Sequence, residues 1–294
     1  MIDLLIPTVA QGLLWALLAL GVYITFRVLD IADLTVEGSF PLGAAVAATM
    51  MSAGYGIVLS MLAACIAGML AGVVTGLLHT KMKIPALLAG ILTMIALYSV
   101  NLRVMGKANL SLLGVDTLFK IARDITGMNT AQTTLIVGLV VCVLVGMFLY
   151  WFFGTEIGAA IRATGFNQQM IRAQGVDTNV TIILGLLMSN ALVAMSGAMV
   201  AQSNGFADVG MGTGTIVIGL ASVIIGEVLF GTRSFKNCLI SVVLGSIVYR
   251  IVIAAVLAMG MPPNDLKLFT SVLVALALSM PLIKSKISGR KVVR

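Results

Sequence analysis

The chain has 294 residues, 60% of them hydrophobic and only 10% charged, with a mean hydropathy of +1.12. Soluble domains hold roughly 45–50% apolar residues, so this composition excludes an ordinary water-soluble fold. It implies an all-α integral membrane protein embedded in the lipid bilayer, and the net charge of +7 is then no sign of nucleic-acid binding, because Lys and Arg of a membrane protein gather in cytoplasmic loops.

Apolar runs near the roughly 20 residues needed to cross a bilayer recur along the chain. They predict a polytopic helical bundle of about nine spans (eight to ten): 4–26, 38–52, 57–79, 84–102, 131–153, 179–201, 214–231, 238–259 and 267–283. The second is short and opens on Glu37-Gly38-Ser39-Phe40-Pro41, so a re-entrant hairpin competes with a true span there. No basic stretch precedes the first run, which is long enough to remain in the membrane, and no cleaved leader is expected. One membrane domain is expected over 1–294, with a first half of about 1–130 and a second of about 131–294.

An external N-terminus puts twelve basic residues inside, against five outside, and the C-terminal tail KSKISGRKVVR falls in the cytoplasm. The opposite orientation reverses the ratio. The longest outer connection, 103–130, carries Leu112, Val115, Leu118, Phe119, Ala122 and Ile125 at helical spacing, with Asp116 and Lys120 paired at i, i+4. It predicts a helix lying on the outer face, either receiving an external partner or merely covering the bundle.

The first span runs into Asp33-Leu34-Thr35-Val36-Glu37-Gly38-Ser39 and then a Gly/Ala-rich helix. The sixth runs into Gln202-Ser203-Asn204-Gly205-Phe206-Ala207-Asp208 and then a helix entered through Gly210, Gly212 and Gly214. These units cross in opposite directions, as inverted-repeat halves do, and paired interrupted segments point to a transport path. Asp33, Thr35, Glu37, Ser39, Gly205 and Gly212 are the candidate pathway residues, with Thr35 and Ser39 as secondary polar groups in the cavity of Glu37. Glu37 at a helix start also suits the macrodipole.

Gly154–Thr178 is a polar island between apolar runs. It reads as two short helices, the first capped by Thr155 and ending near Gly165, the second capped by Asn167 and stopping at Gly175. In the preferred topology it faces the cytoplasm, as a docking surface for a partner or as an ordinary solvated loop.

Charges at membrane depth need a reason. Glu227, about one turn from the inner end of its span, suits pairing with a basic loop residue. Arg250 sits in mid-span and must face a partner, carbonyls or water, most simply as a structural clamp. His79 has no metal companions, and Cys65, Cys142 and Cys238 lie in apolar runs with no metal or disulfide spacing. There is no GxxxxGK[ST] loop, no HExxH and no CxxC, so intrinsic enzymology is not expected.

Four stretches together resemble the permease subunits of bacterial ABC importers in the branched-chain amino acid and ribose group, particularly permeases of aromatic amino acid systems that use lipoprotein binding proteins. They are LDIADLTVEGSFPLGA (29–44), EIGAAIRATGFNQQMIRAQGV (156–176), SGAMVAQSNGFADVGMGTG (196–214) and PPNDLKLFTSVLVALAL (262–278). The resemblance implies a multi-pass protein of the bacterial cell membrane with a type II-like permease fold. It implies that loop 154–178 is the coupling helix for a separate cytoplasmic ATPase, through Glu156, Ala159, Ala160, Arg162, Asn167, Arg172 and Gly175. ATP and Mg would then sit on that partner, with no cofactor on this chain. An extracellular solute-binding protein and a second permease copy or paralogue complete the implied assembly, importing a small solute such as an amino acid by alternating access. An ion-gradient-driven secondary transporter is the alternative, although it calls for several buried acids where only Glu37 and Glu227 qualify.

Overall fold

The computed structural model describes residues 2–260 and isolated positions between 262 and 279. The expected ninth span and the basic tail therefore lie largely outside the described residues. Among the described residues, seven helices are long and apolar enough to cross a membrane. The expected count of about nine is thus not confirmed.

The chain runs through α1 (Ile2–Tyr23), a π-helical turn (Ile24–Val28), α2 (Val36–Ser52), α3 (Ile57–Thr80), α4 (Ala86–Met105), β1 (Asn109–Ser111) and α5 (Leu118–Thr126). It continues through α6 (Thr130–Phe152), α7 (Glu156–Phe166), α8 (Gln168–Ala173), α9 (Thr178–Asn204), β2 (Phe206–Asp208), a 3-10 turn (Val209–Gly212), α10 (Thr215–Phe230) and α11 (Phe235–Ala258). The two strands pair antiparallel, with Leu110 opposite Ala207.

Small residues set the packing. In membranes, helices approach closely where side chains are short, and α3 buries Ser60, Ala64, Gly68, Gly72 and Gly76 along one stripe against α9. A Cβ on Gly68 would meet the Asn190 carbonyl oxygen at 2.4 Å, and one on Gly72 the Leu186 carbonyl at 2.4 Å. The pairing of Gly68 with Asn190 and Gly76 with Ile183 makes the two helices antiparallel. α9 is the central post: it also packs on α1 and α2, and Leu186, Val193, Ala194, Ala198 and Ala201 are buried.

The short α2 is a single continuous helix rather than a hairpin, and Phe40, Ala44, Ala45, Ala47 and Ala48 within it are fully buried. It starts deep. A Cβ on Gly38 would touch Leu97 and the Met94 backbone, and Leu97 lies ~16 Å along α4 at 1.5 Å per residue. Residues 29–35 lead into the bundle as non-helical backbone, with Leu29, Ile31, Asp33 and Thr35 buried and Asp30 and Ala32 exposed; such backbone is tolerated at membrane depth only inside protein or against water.

α2 runs parallel to α9, through Ser39 with Asn190 and Gly43 with Ala194. α10 runs parallel to α1, through Gly219 with Val22 and Glu227 with Arg27. Since α1 and α9 are antiparallel, through Gly21 with Ser189 and Leu14 with Ser196, α2 and α10 point in opposite directions.

The connection 103–130, expected on the outer face, departs from expectation. Its helix covers only 118–126, because Leu112 is drawn under the β1–β2 pair and bonds its amide to the Gly205 carbonyl at 2.8 Å. Phe119 is buried, Ile125 is exposed, and Lys120 pairs with Asp116 at 2.6 Å as the spacing predicts.

Candidate functional site

The two helix breaks meet. The N-terminus of α2 faces that of α10, and the Glu37 Oε1 accepts the Gly214 amide hydrogen at 3.0 Å. Both positive macrodipole ends thus converge on one carboxylate. The approach depends on Gly212, whose missing Cβ would lie 2.0 Å from the Glu37 carbonyl oxygen and 2.7 Å from Pro41. Gly214 takes φ +83°, a conformation that Gly reaches without a Cβ penalty. Gly205, at φ +78°, ends α9 and leads into β2.

The other predicted polar residues gather on the opposite side of α2, away from Glu37. Buried Asp33 accepts from the Thr35 amide at 2.9 Å and from Asn190 Nδ2 at 2.8 Å. Asn190 Oδ1 in turn accepts from Ser39 at 2.6 Å, and Thr35 joins Thr75 at 2.7 Å, which donates to Thr93 at 2.9 Å. This network ties α2, α3, α4 and α9 together at the break. Thr35 and Ser39, expected in the cavity of Glu37, therefore belong to the interior lock instead. Full hydrogen-bond satisfaction is what makes such buried polar groups tolerable.

Beside Glu37 lies a cavity of about 360 Å³, lined by Gly38, Pro41, Met94, Ile95, Tyr98, Ser99, Asn101, Val209, Gly210 and Thr213 as well. Asn190, Thr75, Thr93, Asn101 and Tyr98 were not singled out from the sequence. The two asparagines carried a usable signal, since a polar side chain within an apolar run needs a partner.

At the α6–α9 end, the loop helices form as the caps predict. Thr155 accepts from the Gly158 amide at 3.3 Å, Asn167 from the Met170 amide at 3.0 Å, and Gly175 adopts φ +86°. The first helix extends to Phe166 because Gly165 is a contact point: its Cβ would lie 1.9 Å from the Val28 carbonyl. Gly158, Ile161, Thr164 and Ile171 face inward, and Thr164 bonds Thr181 at 2.8 Å. Arg172 donates to Thr178 at 2.6 Å, and the Arg162 guanidinium lies 5.3 Å over the Phe235 ring. Glu156, Ala159, Arg162, Asn167, Arg172 and Gly175 are exposed and Ala160 is half-buried, while Phe166 projects with 92% of its surface free.

Two charges are accounted for structurally. Arg27 holds Glu227 through a bidentate pair that joins the π-helical turn after α1 to the end of α10. Arg250 stacks 4.1 Å over the Trp15 ring, and Trp15 packs on Phe40 at 5.1 Å. His79 bonds the Ile84 carbonyl at 2.8 Å, closing the α3–α4 turn. Among the described residues no cluster of three or more His, Cys, Asp or Glu could hold a metal.

Comparison with known proteins adds the class. Residues 4–279 match the family described as "Branched-chain amino acid transport system / permease component". The chain is 38% identical over 270 residues to the tyrosine transport system permease protein of Clostridioides difficile (strain R20291), covering 92% of this chain and 88% of that one. It is 34% identical over 286 residues to an uncharacterized protein of Rickettsia prowazekii (strain Madrid E), covering 94% and 97%. It is also 28% identical over 182 residues to the galactofuranose transporter permease protein YtfT of Escherichia coli (strain K12), covering 61% and 51%. No solved structure matches it significantly. Permeases of this kind are non-enzymatic, multi-pass subunits of the cell membrane that work in general with a separate ATPase and a substrate-binding protein. The chain belongs to the family of branched-chain amino acid transport system permease components, the membrane subunits of ABC importers of small solutes.

Proposed function

We propose that this chain imports an amino acid, with its α6–α9 loop in the cytoplasm as the handle of the ATPase. The observation that carries this reading is the build of that loop. Two capped helices are fastened by Gly165 to the turn after α1 and by Thr164 and Arg172 to α9, so a push on α7 reaches both helices that lead into the breaks. The exposed residues Glu156, Ala159, Arg162, Asn167, Arg172 and Gly175 and the projecting Phe166 supply the docking face, with Ala160 at its edge. ATP and Mg act on the partner, a second permease copy or paralogue completes the pathway, and an external binding protein delivers the cargo. An amino-acid cargo is supported by the likeness to the tyrosine transport system permease. Glu37, Gly205 and Gly212 form the joint on the cargo side of the break, and Asp33, Thr35 and Ser39 lock α2 to α3, α4 and α9 behind it. The ion-gradient reading gains no support, because Glu37 and Glu227 are both engaged in structural contacts.

The test is co-purification in mild detergent with the cognate ATPase, comparing the native chain with a Phe166→Cys variant and with a Glu156→Arg, Arg162→Glu double variant. The double variant should lose the ATPase while remaining monodisperse. The thiol introduced at position 166 should react with an impermeant reagent only from the cytoplasmic side. Labelling from the outer side would end the proposal.

A further inference from the structure

The cavity beside Glu37 contains one buried polar atom with nothing to bond. Asn101 is 1% exposed, and its Nδ2 donates to the Gly38 carbonyl at 3.2 Å, which fixes the amide orientation. Its Oδ1 is left buried without a hydrogen-bond partner among the described residues, and Asn101 lines the cavity. A buried acceptor left unmade is costly, so such an atom points to a donor that the described residues do not provide.

The surroundings define that donor. Met94, Tyr98 and Asn101 recur at i, i+4 and i+7, so they share one face of α4, and all three line the cavity with Glu37. Among the described residues no Lys, Arg or His lines it. Besides the Ser99 and Thr213 hydroxyls, the polar groups presented are the Asn101 carbonyl oxygen, the Tyr98 ring and the Glu37 carboxylate at the two helix ends, each attractive to a cation. Met94, Ile95, Pro41 and Val209 supply apolar wall. A volume near 360 Å³ sits at the low end of the ~300–1,000 Å³ of small-molecule sites, which favours a compact guest.

We infer that this cavity is a binding site for a primary organic ammonium on an apolar or aryl body, with Asn101 Oδ1 accepting the ammonium hydrogen, Glu37 balancing its charge and Tyr98 covering it. The inference rests on the importer reading only in that the guest would be cargo on its path; the chemistry of the cavity stands without it. It explains why α4 places a polar side chain against the first turn of α2, where the break opens.

The test uses the full chain with Cys65, Cys142 and Cys238 replaced by Ala and Ser99→Cys introduced, since Ser99 is exposed on the cavity wall. The rate of thiol modification at position 99 is measured with 2-phenylethylamine and with 3-phenylpropionate, probes of similar size and opposite charge. The amine should slow modification and the acid should not. Glu37→Gln, which keeps an acceptor for Gly214, and Asn101→Leu should each weaken protection by about 10-fold or more, with an unchanged rate in the absence of probe. Tyr98→Ala, at an exposed position, gives the same readout if Asn101→Leu fails to fold. Equal protection by the acid, no protection by the amine, or protection indifferent to Glu37→Gln and Tyr98→Ala would overturn the site. ATP-driven uptake without amine protection would remove the cavity and leave the importer reading; amine protection without uptake would do the reverse.

Discussion

Glu37 and Gly214, 177 positions apart, are joined by a 3.0 Å hydrogen bond from the Gly214 amide to the Glu37 carboxylate. That bond spans the N-termini of two helices running in opposite directions, so any sliding of one break past the other must stretch it. An acid here is favoured by both helix ends, which holds the joint together in the state described.

The first prediction separates the bond from the charge. Glu37→Ala leaves the Gly214 amide without its side-chain acceptor, at a cost of about 1–3 kcal/mol, and thermal unfolding in detergent should fall accordingly. Glu37→Gln retains an acceptor and should stay within about 1 kcal/mol of the native chain. Equal losses in the two variants would show that the bond does not hold the joint.

Gly212 is the steric condition for that contact. Gly212→Ala places a methyl group 2.0 Å from a backbone carbonyl, and backbone at the start of α2 cannot swing aside as a side chain does. Overpacking of this kind costs about 1–3 kcal/mol, and uptake should fall with it. Gly146→Ala, where nothing lies within 4 Å inside α6, is the control; it should be neutral or gain about 0.5–1 kcal/mol. Melting temperatures of the pair, measured side by side, decide the matter.

Much of this was legible in advance, and the reasons are physical. Length and hydropathy mark the long helices, because a bilayer imposes about 20 apolar residues. Thr155, Asn167 and Gly175 announce the loop helices, because caps are local chemistry. The division of labour around α2 was not legible: periodicity says that Thr35, Glu37 and Ser39 lie near one break, and only packing shows that Thr35 and Ser39 turn toward Thr75 and Asn190 while Glu37 turns toward Gly214. The β1–β2 pair escaped for a different reason. Three-residue strands carry too little alternation to register, and the helical spacing of Leu112 and Val115 suggested a helix that the Gly205 contact prevents.

Coupling should be separable from docking at Gly165. Its Cβ would lie 1.9 Å from the Val28 carbonyl, so Gly165→Ala must lift α7 from the turn after α1 while leaving the exposed face of the loop unaltered. The expected outcome is an assembled complex that hydrolyses ATP with uptake reduced about 10-fold or more, the scale at which small misplacements act. Loss of ATPase association instead would make Gly165 part of the docking surface.

Arg250 is the last case, because among the described residues its partner is a ring rather than an acid. The guanidinium stacks at 4.1 Å on Trp15, and its Nε is buried without a hydrogen-bond partner. Desolvated cation–π contacts reach about 2 kcal/mol, while a charge on a half-buried side chain carries part of the several kcal/mol that full desolvation costs. The two oppose each other, so Arg250→Met, which keeps the apolar stem and discards the charge, should be neutral or stabilising. Trp15→Ala removes the ring that links Arg250 to Phe40, strands the charge and opens a cavity, and should cost about 3–5 kcal/mol. In the double variant the stranded charge is gone, so the combined loss should be smaller than that of Trp15→Ala alone. Unfolding midpoints of the four proteins complete the cycle; a double variant no more stable than Trp15→Ala would mean that Arg250 is held by something other than the ring.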